Sequence, residues 1–103
     1  MRRDARVDTN QIEIAKAFRR AGWKVLHLHA IGQGVPDLLV ARYGSMKLVE
    51  IKDGAKSPSR KKLNERQEKF HEDWASYVEV VYSVDDVVQL TLESGEWCDN
   101  QAI

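Results

Sequence analysis

Between Gly34 and Gly54 the sequence reads GVPDLLVARYGSMKLVEIKDG, with two largely apolar runs on either side of Gly44-Ser45. Short runs of this kind around a glycine turn predict a β-hairpin, Leu38 to Arg42 against Met46 to Ile51. The pairing is a strong constraint because it joins residues distant in sequence. With Gly44-Ser45 as a two-residue turn, Leu39 is expected opposite Glu50 and Asp37 opposite Lys52. A three-residue turn shifts this by one. In either register Asp37 and Glu50 lie at the same end of the hairpin, within one or two pair spacings of ~5 Å. Strand alternation puts Glu50 and Lys52 on one face and Ile51 on the other.

Helices and strands flank the hairpin. Ile14, Ala17, Phe18 and Ala21 recur at helical spacing in DTNQIEIAKAFRRAG, with Thr9 or Asn10 to cap the start and Gly22 to end it. Trp23 to Leu28 alternates with period two and predicts a strand. After a polar loop a second helix begins near Asn64, and its Gln67, Phe70, His71 and Trp74 fall on one stripe. YVEVVYS predicts a fourth strand, and Ser83 with Asp86 predicts a capping box for a last helix through about Leu92. The order αβββαβα is of the α/β (α+β) class, a small mixed sheet flanked by helices. The 103 residues are expected to form one domain, with its core over about 8–92 and a tail at 93–103.

Charged residues make up 31% of the chain and hydrophobic ones 43%, which excludes a disordered chain. No apolar run approaches the ~20 residues of a membrane span, and no signal-peptide core follows Met-Arg-Arg, so a cytoplasmic location without membrane contact is expected. Cys98 is the only cysteine and lacks ligand-spaced neighbours, which leaves a structural or tolerated thiol. The net charge is zero, yet residues 1–70 carry all 16 Lys and Arg against 8 acids. That division points to a polyanionic partner on one face, or to ordinary solvated faces once the halves interleave.

Two carboxylates brought together repel unless a cation lies between them. Asp and Glu oxygens suit Mg²⁺, which uses one or two carboxylates and completes its octahedron with water and phosphate oxygens. With a lysine beside them, Asp37, Glu50 and Lys52 form the equipment of metal-assisted phosphodiester hydrolysis. The bland reading of the same residues is an edge ion pair beside a Pro-Asp turn. His27 and His29 lie two apart on a strand without a third zinc ligand. His71 reads as a core or interface histidine. Gly32-Gln33-Gly34 lets the backbone approach DNA or a metal closely, or is a plain loop.

With Pro36-Asp37 and Glu50-Ile51-Lys52 in this element order, the chain resembles the PD-(D/E)xK nuclease superfamily. GVPDLLV, LVEIKDG and LNERQEKFHEDW are most similar to its stand-alone VRR-NUC (virus-type replication-repair nuclease) proteins, over about Asp8 to Leu90. The resemblance implies a restriction-endonuclease-like, Holliday-junction-resolvase-like core. It implies a Mg²⁺- or Mn²⁺-dependent DNA endonuclease, structure-selective for branched DNA. Asp37, Glu50 and the backbone carbonyl of Ile51 would bind metal, and Lys52 would position the attacking water. Glu13 would reach the metal and Gln67 would join the site. The residues alone allow other roles: Glu13 as the third position of a capping box begun by Asn10, and Gln67 as a buried, satisfied amide.

Lys56, Arg60, Lys61 and Lys62 follow the motif strand and are read as phosphate contacts or as a solvated loop, with Arg2, Arg3, Arg6, Arg19 and Arg20 to extend the same surface. No aromatic platform for single strands is evident, which favours duplex or branched DNA. Cutting both strands with one site per chain needs two subunits, so a homodimer is expected. The aromatic stripe of the second helix, or the acidic C-terminal third with Trp97, would supply its interface. The rival readings are a restriction or homing nuclease and a non-catalytic nucleic-acid-binding module that keeps the fold.

Overall fold

The computed structural model describes residues 9–52 and 63–94. Lys56, Arg60, Lys61, Lys62, Trp97, Cys98 and the arginines at 2, 3 and 6 lie outside them. Helix α1 (Thr9–Arg20) leads into β1 (Lys24–His27), β2 (Leu38–Arg42) and β3 (Ser45–Ile51). Helix α2 (Glu65–Asp73) then precedes β4 (Val78–Val81) and helix α3 (Val84–Glu93). The expected αβββαβα order is present, with short 3₁₀ turns at His29–Ile31 and Ala75–Tyr77. Among the described residues no helix is long and apolar enough to cross a membrane.

The strands lie in the order β1-β2-β3-β4. Contacts β1/β2 and β2/β3 are antiparallel and β3/β4 is parallel, so α2 lies within the crossover that a parallel pair requires. One face of the sheet is closed by α1 and α3. Leu38, Val40, Val49 and Val81 are wholly buried there against Ile14, Phe18 and Val87. Trp23 stands edge-on to Phe18, with ring centroids 5.6 Å apart, and its indole N–H donates to Thr91 Oγ1 of α3 at 2.9 Å. A buried indole with its one donor satisfied ties the two helices together.

Three local expectations are corrected. Helix α1 already includes Thr9, so Asn10 is inside it and not its cap; the Asn10 side chain donates to the Lys52 carbonyl at 3.3 Å. Ser83 flanks α3 without a side-chain cap bond, because Asp86 accepts instead from the Tyr82 N–H at 2.8 Å.

The third correction is the hairpin turn. Arg42 pairs with Ser45 and Leu38 with Val49, so the turn is Tyr43-Gly44 and not Gly44-Ser45. Both turn residues have positive φ, 48° and 83°, as a type I′ turn demands. Tyrosine is an unusual occupant. The Arg42 guanidinium lies 4.5 Å over its ring and also bonds Ala21 O and Ser94 Oγ, which anchors the turn to the helices. Moving the turn by one residue shifts the pairing by two, so every side chain keeps its predicted face.

Candidate active site

The corrected register brings the carboxylates closer than expected. Continuing the observed pairing one residue past Leu38↔Val49 sets Asp37 directly opposite Glu50. The Asp37 carbonyl accepts from Leu28 N–H on the β1 side at 2.8 Å, while the Lys52 N–H donates to Val81 O of β4 at 3.0 Å. Asp37 and Glu50 therefore turn their backbone bonds away from each other. In such a non-hydrogen-bonded pair, side chains approach most closely.

The next pair would be Pro36 with Ile51. The Ile51 N–H points toward β2, where Asp37 Oδ2 accepts it at 2.8 Å. In a strand the carbonyl of a residue points to the same side as its N–H. Pro36 has no N–H with which to bond that carbonyl, so Ile51 O lies on the β2 side of its strand without a ladder donor from this position.

Glu50 is only 2% exposed. Its Oε2 accepts from Gln67 Nε2 at 2.9 Å and lies 3.9 Å from the Lys52 ammonium. Its buried Oε1 has no hydrogen-bond donor. Burial first, and then the charge of Asp37, push the Glu50 carboxyl up to about 8, although Lys52 works in the other direction. Asp37 and Glu50 are close enough to share a proton, which also raises it. The pair stays together by holding that proton or by binding a cation in its place.

Gln67 organises the other side. It occupies the third position of α2 in a capping box with Asn64: Gln67 N–H donates to Asn64 Oδ1 at 2.9 Å, and Asn64 N–H donates to Gln67 Oε1 at 3.0 Å. The same Oε1 accepts from Lys52 Nζ at 3.0 Å. One amide thus ends a helix and orients both Glu50 and Lys52. The Asn-x-x-Gln spacing is a capping signal present in the sequence that the composition of the stripe concealed.

Gly34 seats α2 over this pair. Its φ is +84°, and a Cβ there would lie 2.5 Å from Arg66 O. The glycines were expected to let the backbone approach DNA or a metal, or to form a plain loop; at Gly34 the close approach is instead to α2. His71, expected in a core or interface, lies near the site: burial and then the Lys52 charge push its imidazole down from 6.5, and its buried Nε2 has no hydrogen-bond partner.

Asp37, Glu50, Ile51, Lys52 and Gln67 are thus brought together, and Glu13 is not. Glu13 lies on an exposed position of α1, and among the described residues no group of three His, Cys, Asp or Glu is placed to hold a metal. His27 and His29, with rings 6.4 Å apart, gain no third ligand. Two carboxylates, one of them with an orphaned buried oxygen, and a backbone carbonyl on the same side fit a hard ion whose remaining ligands are water and phosphate oxygens. No protein-family model matches this chain, and no curated protein or solved structure matches it.

Proposed function

We propose that the chain is a divalent-metal-dependent phosphodiesterase. More particularly, we read it as a stand-alone nuclease of the VRR-NUC kind that cuts branched DNA as a homodimer in the cytoplasm, leaving 5′-phosphate and 3′-hydroxyl ends. The observation that carries this reading is the pairing of Asp37 with the buried Glu50, in which a donorless carboxylate oxygen is held beside an oriented lysine.

Asp37, Glu50 and the Ile51 carbonyl would hold Mg²⁺ or Mn²⁺. Bound there, such an ion would supply neutralisation of the carboxylates, acidification of water and withdrawal of charge from a phosphoryl oxygen. Gln67 Oε1 fixes the Lys52 ammonium, leaving its other N–H bonds to orient a water or to meet charge developing on the phosphate. Burial of Glu50 strengthens each of these interactions by excluding water.

The test is cleavage of linear duplex, flap and four-way-junction DNA in Mg²⁺, Mn²⁺ or EDTA. Cleavage that requires metal and falls by about 10²-fold or more in Asp37→Asn and Lys52→Ala is expected. Cleavage that survives both substitutions removes the assignment. Binding without cleavage under every metal points to a non-catalytic module.

A further inference from the structure

The loop 32–35 and helix α2 enclose a second cleft, of about 410 Å³, lined by Gln33, Arg66, Lys69, Phe70 and Asp73. It adjoins the candidate active site because its walls are the segments that carry that site: Gly34 packs on Arg66, three residues before Asp37 and one before Gln67. At about 100° per residue, α2 divides into three strips. Gln67 and His71 lie on the side of the carboxylates, Glu65, Glu68 and Glu72 are exposed on the far side, and Arg66 and Lys69 line the cleft with Phe70 between them. Among the described residues neither cation forms an ion pair.

Phe70 lines the cleft. Its ring stacks on Trp74 with centroids 5.3 Å apart and planes within 3°, and Trp74 is 47% exposed. The structure therefore supplies the aromatic platform that the sequence did not reveal. Unpaired cations beside stacked rings are what proteins use to hold single strands, the cations on phosphates and the rings on base faces.

We propose that this cleft binds an unpaired stretch of the substrate strand next to the scissile phosphate. Arg66 and Lys69 contact its phosphates, and one base enters against Phe70, extending the Phe70–Trp74 stack. Asp73 stands at one end of the α2 strip and repels phosphate, so it limits the strand's path. The proposal rests on the nuclease reading for its place beside the cut, and it deepens that reading by requiring single-stranded character in the substrate.

The test is fluorescence-anisotropy binding of a mixed-sequence single strand of about 15 nucleotides in EDTA, so that neither metal nor cleavage is needed. Arg66→Ala/Lys69→Ala is expected to weaken binding at least tenfold and to flatten the slope of log K against log salt by about 1.4. An oligonucleotide of abasic sites is expected to bind wild-type protein about tenfold more weakly than the normal strand, and equally to Phe70→Leu, with Phe70→Trp restoring the preference. No measurable single-strand binding by the wild type, an unchanged slope in the double variant, or equal wild-type affinity for abasic and normal strands overturns the proposal. If the cleft variants behave as expected while no metal supports cleavage, the cleft stands and the nuclease reading falls.

Discussion

On one face of the sheet Leu38, Val40, Val49 and Val81 are wholly buried under two helices, while on the other, one residue along, Asp37 faces Glu50 and both Leu26 and Met46 remain more than half exposed. The closed face is apolar at its centre, with Arg42, Lys47 and Glu79 at its margin, and each buried apolar side chain contributes about 1.5–3 kcal/mol by leaving water. The other face holds α2, which has no fully buried residue and is fastened by Gly34, a capping box and the bonds of Gln67. The difference separates what folds this chain from what it can do. Burial that the closed face uses for stability is used on the other face to set a carboxyl far from its ordinary range.

Substitutions on the two faces should therefore fail differently. Phe18→Ala, at the centre of the closed face, is expected to lower stability by about 3–5 kcal/mol in urea unfolding. A loss under about 1 kcal/mol would mean that the helices do not close this face as described. Gln67→Ala removes a cap and the partner of both Glu50 and Lys52. It should cost about 1–2 kcal/mol and slow cleavage by about tenfold, so a variant that loses stability alone would reduce Gln67 to a capping residue.

The smallest effect is expected at Lys47, whose ammonium lies 3.2 Å from Glu79 with both side chains about one-third exposed. Lys47→Ala should change stability by less than about 1 kcal/mol and leave cleavage intact. The two Lys–Glu pairs that each use one residue of β3 would then differ because Glu50, unlike Glu79, is buried and faces a second carboxylate.

The closed face was legible in the sequence, since helical periodicity marked Ile14 and Phe18 and the apolar run beside the glycine turn marked the strand that carries Leu38 and Val40. The convergence of Asp37, Glu50 and Lys52 was legible too, because an error of two in register leaves the faces unchanged. The turn was not, because Tyr43 adopts positive φ with support from Arg42, a residue anchored by contacts distant in sequence. Glu13 was placed at the metal by the resemblance alone, and the structure leaves it exposed on α1 without joining the two carboxylates; its other reading, a capping box begun by Asn10, fails because Asn10 lies inside the helix. The cleft between Phe70 and the loop at Gly34 was not legible because it depends on a backbone approach between residues distant in sequence.

The pH dependence of Glu50 bears on the whole account. Its folded-state value near 8 lies above the ordinary 4.5, so between those values the folded chain keeps a proton that the unfolded chain has released. Stability should fall as pH rises through that window, and Glu50→Gln should remove this part of the fall. On the proposed function, a divalent ion held by Asp37 and Glu50 would replace the proton and reverse the shift. The most direct measurement is an NMR titration of the ¹³C-labelled Glu50 side-chain carboxyl with and without Mg²⁺. The account predicts a midpoint near 8 in the absence of the ion and a marked lowering in its presence. A midpoint near 4.5 that does not respond to Mg²⁺ would contradict it.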